Sequence, residues 1–248
     1  MIIIALTLLL AGAVKGVFGL GLPAISMGLL GLIMPPVQAA GLLVVPALVT
    51  NAWQLASGPA LRAVIARFGN MILPFCLGTL LSSGLLTSKP PALAAAMVGM
   101  VLVLYGSFGL SSMRLSVAKD REWWLSPVIA LLTGALNGAT GISAIPLVPY
   151  LAALDLDQEQ LIQVMGLSFT VLMLALVGSL AASGNLHWES AGQSALALLP
   201  VAAGMVVGQA IRRRLSALAF RRAFFAGLLT LGAYTTCRGL AALHTGGA

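Results

Sequence analysis

A chain of 248 residues with 60% hydrophobic and 8% charged side chains, and a mean hydropathy of +1.05, lies outside the soluble globular class. Continuous apolar runs of about 20 residues recur, the length a hydrocarbon core demands, so the chain reads as an all-α polytopic membrane protein. A β-barrel, with its short alternating segments, is excluded, and the net charge of +7 is not a nucleic-acid signal, because the arginines fall in short loops between apolar segments.

Taken in order, the hydrophobic segments are 2–34 (broken at 16–23), 38–58, 69–87, 91–112, 124–154 (broken at 138–146), 160–183, 190–211 and 223–243, about eight in all. The opening Met1-Ile-Ile-Ile lacks the basic residues of a signal peptide, so the first segment is expected to stay in the mature protein. Pro35-Pro36, Lys89-Pro90-Pro91 and Asp155-Leu-Asp-Gln-Glu159 are the clearest punctuation. Arg114, Lys119, Asp120, Arg121 and Glu122 mark a cytoplasmic linker at 113–123, between a first repeat at 1–112 and a second at 124–248. Cys76 and Cys237 lie far apart in apolar segments and read as buried thiols, with no disulfide or metal framework.

The two broken segments match. Gly12, Ala13, Gly16 and Gly19 align with Gly134, Ala135, Gly138 and Gly141 at a shift of 122, which sets Lys15 against Asn137 and Phe18 against Thr140. Gln38 matches Gln160 at the same shift, and Pro74 to Gly78 resembles Pro200 to Gly204 at a shift of 126. A pair of interrupted apolar segments, one per half, is the pattern of a transporter built from internal repeats.

Charge decides how the halves are oriented. If all eight segments span, the Lys/Arg residues divide five against six between the two sides, with no positive-inside bias. If each broken segment is instead a hairpin that leaves on the side it entered, ten gather on one side, leaving Lys89 and Arg238 on the other. Arms of 13–16 residues reach about 20–24 Å, short of a crossing of about 30 Å. The expected fold is therefore two inverted repeats, each a broken helix or hairpin plus three transmembrane helices, with both termini outward.

Non-helical backbone survives at membrane depth only inside protein or beside a wet cavity, so the two breaks are expected to meet near the midplane. Helix N-termini there favour anions, and glycines at 16, 19, 21, 138 and 141 open the backbone to a ligand. Lys15 is the one cation placed well inside a membrane segment, and every Asp and Glu lies near a segment end. A carboxylate proton relay is hard to build from such a set, and the unmatched positive charge points to an anionic ligand. Asn51, Gln54, Asn137, Thr140, Ser143 and Ser168 are the other polar candidates, each equally readable as an interhelical hydrogen bond. Trp53, Trp123, Trp124 and Trp188 read as interface anchors. His187 and His244 both lie near segment ends, and there is no HExxH motif or Ser/His pair at depth, so neither catalysis nor a cofactor is expected.

These motifs resemble the sulfite exporter TauE/SafE family. The likeness rests on Gly12 to Pro23, Gly134 to Pro146, and Asn51 followed by Arg62 and Arg67. The chain departs from the family's fuller glycine cluster where Leu20 and Leu22 flank Gly21, and where Ser143-Ala144 stand. The resemblance implies a bacterial inner-membrane exporter of sulfite, a sulfonate or sulfoacetate. On this reading Lys15, with backbone N–H groups near Gly19, Gly21, Gly141 and Ser143, holds the anion, and Asn51, Gln54, Asn137, Thr140 and Ser168 tune the fit. One half is expected to move against the other. A channel or a non-transporting accessory subunit are the alternatives, and the coupling ion and any homo-oligomer stay open.

Overall fold

Proline and glycine divide the apolar chain into helices. The computed structural model describes residues 2–87, 90–111, 116–185, 188–212 and 217–244, with side chains for all of these except 188–191, 212 and 217–220. Lys89, Arg114, His187, Arg213 and Arg214 lie outside the described residues.

The first segment breaks into α1 (Ile2–Phe18) and α2 (Leu22–Leu30), with Pro23 in the first turn of α2, where a missing N–H costs nothing. Pro36 opens α3 (Pro36–Ala56). Next, α4 (Leu61–Phe68) runs through a 3-10 turn into α5 (Ile72–Ser82), followed by α6 (Pro91–Leu110). The second broken segment gives α7 (Lys119–Thr140) and α8 (Leu147–Ala152). Asp157 then caps α9 (Gln158–Ala182), its Oδ1 accepting from the Gln160 N–H at 2.7 Å. Finally come α10 (Trp188–Arg212) and α11 (Ala217–His244).

Several boundaries differ from the sequence reading. Arg62 and Arg67 sit on α4 rather than in a loop, because Val64 and Phe68, four apart, bury one face of that helix. Lys119 to Trp123 form the first turn of α7, where Asp120 and Glu122 suit the positive end of the helix. The hairpin arms are unequal: 17 and 9 residues in the first, 22 and 6 in the second. Five helical stretches among the described residues are long and apolar enough to cross a membrane: Pro36–Ala56, Leu61–Leu85, Pro91–Leu110, Gln158–Ala182 and Gly192–Ile211. The chain is therefore a multi-pass helical membrane protein. Trp53, Trp123 and Trp124 are exposed.

Both broken segments double back. Ile4, Ala5 and Leu8 of α1 share a cavity wall with Met34, Gln38 and Gly41 at the head of α3, while Lys15 and Gly19 meet Asn51 and Gln54 near its foot. Since α1 and α3 run the same way, α2 is the return arm. In the second segment the Val117 N–H donates to the Ala153 carbonyl at 3.1 Å, and the Ser126 and Tyr150 hydroxyls lie 2.6 Å apart. The end of α8 therefore returns to the start of α7. Across the middle, α3 and α9 are antiparallel, with Gly166 against the Gln54–Leu55 backbone and Gln163 at the foot of α3.

The helices of the two halves interlace. Gly12 and Gly16 of α1 face the Val201 and Met205 backbones of α10, and Gly204 and Gly208 of α10 face Leu9 and Ala13. The same arrangement joins α7 to α5: Gly134 and Gly138 face Phe75 and Thr79, and Gly78 faces Leu131 and Ala135. Both pairs run parallel, at a distance that only small residues allow. Gly16 and Gly138, expected to open the backbone to a ligand, each admit a neighbouring helix, and Gly16 also borders the space lined by Lys15, Gln54 and Gln209. Likewise α6 and α11 pack antiparallel through Gly99, Gly106 and Gly239. The halves are not separate bodies.

Two polar side chains close gaps in the backbone bonding. Pro46 lacks the N–H that would serve the Leu42 carbonyl, and Ser194 Oγ on α10 donates to that carbonyl while accepting from the Val45 N–H, both at 2.9 Å. Gln163, fully buried, donates through Nε2 to the Leu55 and Gly58 carbonyls at 2.9 and 2.7 Å and accepts from the Ala60 N–H at 3.0 Å. Replacing Gln163 by leucine should strip the α3–α4 turn of all three partners and lower stability by about 2 kcal/mol. Thermal unfolding in detergent checks this, and an unchanged melting temperature would refute it. Outside the apolar body, Arg67 forms a two-pronged pair with Glu122 at 2.7 and 2.8 Å, tying α4 to the start of α7.

Candidate functional site

The two breaks meet. A small enclosed cavity lies between them, bordered from the first half by Lys15, Leu20, Gly21 and Asn51 and from the second by Asn137, Ile142, Ser143 and Met173. These eight residues form four pairs, each 122 positions apart, and Leu22 with Ala144 and Ala47 with Phe169 add two more. The repeat therefore runs through the cavity wall itself. The two sides differ in chemistry: the first half brings a lysine and an asparagine where the second brings an asparagine and a methionine. At about 20 Å³ the cavity holds about one water, so an oxyanion of several atoms fits only if the hairpins part.

Lys15 reaches the cavity from the last turn of α1 and is 4% exposed. Its Nζ donates to Asn51 Oδ1, on the stretch of α3 just beyond Pro46. Among the described residues no Asp or Glu borders the cavity. Gly21 caps α2 with φ 101°, a conformation that disfavours a side chain, and no side chain satisfies the first turn of that helix. Leu22 and Ala24, in the first turn of α2, border the same space as the lysine. Gly141, φ 72°, closes the end of α7, as its repeat counterpart Gly19, φ 75°, closes the end of α1.

The other expected residues fall in three groups. Asn137, Gly141 and Ser143 border the cavity, but both N–H groups of the Asn137 amide point elsewhere, to the Leu172 carbonyl at 3.0 Å and Thr79 Oγ1 at 3.4 Å. Gly19 and Gln54 border a second space, joined by the Gln54 Nε2–H donating to the Gly19 carbonyl at 2.8 Å. Thr140 and Ser168 are buried and border neither space; Thr140 Oγ1 donates to the Leu136 carbonyl and accepts from the Ile142 N–H, finishing α7. Phe169, Met173 and Gln163 were not singled out by the sequence reading, although Phe169 and Met173 follow from carrying the 122 shift forward from Ala47 and Asn51.

The second space is a vestibule of about 540 Å³, lined by the ends of α1, α3 and α10 and the start of α9. Among the described residues its polar lining is neutral (Gln54, Ser57, Gln158 and Gln209) except for Lys15, which borders both spaces. Among the described residues no group of three or more His, Cys, Asp or Glu could hold a metal ion.

No curated protein and no solved structure matches the chain. The family model for the sulfite exporter TauE/SafE matches residues 4–235, nearly the full length. With matched glycine breaks closing on a buried lysine, and that match along almost all of its length, the chain belongs to the sulfite exporter TauE/SafE family.

Proposed function

We propose that the protein is a secondary transporter that exports a small anion, such as sulfite, a sulfonate or sulfoacetate, across a bacterial inner membrane. The observation that carries this reading is Lys15: a buried cation without a carboxylate partner, at a cavity wall to which both halves contribute. An unpaired charge at such depth is costly unless a ligand of opposite sign completes it. The unsatisfied first turn of α2 adds favourable donors for the same anion.

On this account the halves are inverted repeats. The support is that α1 runs with α3, α7 returns through α8 toward its own start, and α3 and α9 are antiparallel. The end bearing Arg62, Arg67, Lys119, Arg121, Arg221 and Arg222 is cytoplasmic, and Arg238, whose Nη1 donates to the Leu32 carbonyl at 2.8 Å, marks the outer end. The vestibule then opens to the cytoplasm, the side from which an exporter loads. Because the halves interlace, the bodies that move are cross-repeat pairs, α1 with α10 and α7 with α5, and the site lies between them. The test is anion flux in proteoliposomes with a panel of sulfite, sulfate, thiosulfate, taurine and sulfoacetate. Saturable exchange of one anion class supports the carrier, whereas non-saturating flux or none overturns it.

A further inference from the structure

Asn51 and Gln54 stand one turn apart on the same face of α3, and each borders a different space: Asn51 the enclosed cavity, Gln54 the vestibule. Lys15 borders both. Its ammonium is seated on Asn51 Oδ1. The Gln54 amide has a fixed orientation, because only its nitrogen can donate to the Gly19 carbonyl. Its oxygen is therefore settled too, and Gln54 Oε1 is buried with no hydrogen-bond partner, in a residue 9% exposed. Buried acceptors without a donor are rare and call for an explanation. Among the described residues Lys15 is the one charged side chain lining the vestibule.

We infer that Gln54 is a positioning residue whose carbonyl oxygen is a second seat for the Lys15 ammonium, so that Lys15 alternates between Asn51 at the enclosed cavity and Gln54 at the vestibule. This rests on the transport reading and deepens it. With Lys15 on Gln54, the site's positive charge faces the vestibule and collects an anion there. The return to Asn51 draws anion and ammonium together into the space between the breaks. The two seats are neutral amides of the same kind, so neither holds the lysine as a carboxylate would. The Gln54 Nε2–H bond to Gly19 keeps the second seat in register with the end of α1, to which Lys15 itself belongs.

The test follows the lysine and does not depend on knowing the anion. Purified protein in detergent is exposed to a small water-soluble amine-reactive reagent at one fixed pH, and labelling of Lys15 is read by peptide mass spectrometry. In Gln54→Met, of similar length but with no seat, labelling is expected to fall about tenfold, the weight of a hydrogen bond from a charged group. In Asn51→Leu, which removes the inner seat, it is expected to rise by a similar factor. If Gln54 serves only to bolt Gly19 in place, Gln54→Met loosens the break and labelling rises, which overturns the inference, as does no change. Gln54→Glu separates the two roles further: it loses the bond to Gly19 but keeps an acceptor, so its labelling should differ from that of Gln54→Met. Equal labelling in the two variants also overturns the inference. Thermal unfolding of each variant identifies any that fail to fold. A failure of anion flux with labelling that follows these signs would sink the transport reading while leaving the motion of Lys15 intact.

Discussion

Leucine at Gly204 should lower the stability of the protein by about 3 kcal/mol, or about 6–12 °C in melting temperature for a chain of this size. A Cβ at this position meets backbone, with Ala13 N at 2.8 Å and Leu9 C at 2.9 Å, and backbone cannot rotate away as a side chain can. The helices α1 and α10 must separate, and with them the last turn of α1 that carries Lys15. Gly78→Leu should cost a similar amount, because Gly78 meets Ala135 N at 2.7 Å in the matching α5–α7 pair. The contrast is Gly178→Ala on α9, an exposed position with nothing within 4 Å, which should be neutral or stabilising by up to about 1 kcal/mol. Thermal unfolding in detergent measures all three. Equal melting temperatures for Gly204→Leu and wild type would mean that the two helices are not in close contact in the membrane.

Cross-linking should distinguish the moving bodies. Val17, Gln209 and Ile162 all line the vestibule, so a thiol cross-linker whose spacer spans it can join cysteines placed there. Cys76 and Cys237 would first be replaced by alanine. Linking Val17→Cys to Gln209→Cys joins α1 to α10, which move as one in the proposed mechanism, and transport should survive. Linking Val17→Cys to Ile162→Cys joins α1 to α9, which packs on α5, and should abolish transport until the linker is cleaved. Loss of transport with both links, or with neither, would contradict cross-repeat motion and favour separate halves or no rocking at all.

Much of this was legible in the residues. The glycine and proline pattern located both breaks: the observed helices end at Phe18 and Thr140, within the expected intervals 16–23 and 138–146. The 122 shift that aligned Lys15 with Asn137 also pairs most of the cavity wall. What the sequence hid was packing. Gly16 and Gly138 look as open to a ligand as Gly21, and only the tertiary contacts show Met205 and Thr79 against them. Nor does periodicity reveal that α10 pairs with α1 rather than with its own half, since any glycine-bearing face suits any other. Gln163 was passed over because its three hydrogen bonds are to backbone of a distant turn, and no local pattern announces such a clamp. The amide of Asn137 looked free to meet a ligand because its partners, Leu172 and Thr79, lie on two other helices.

The central claim is that Lys15 holds the transported anion between the two breaks. The most direct measurement compares wild type with Lys15→Met in the proteoliposome flux assay, using whichever anion wild type exchanges. Methionine keeps the length of the side chain and removes the charge, at a position where no partner charge is left stranded. Saturable flux should fall at least about tenfold, the weight of a hydrogen bond to a charged group, while the melting temperature holds or rises. Full flux from folded Lys15→Met would contradict the account and put the anion elsewhere.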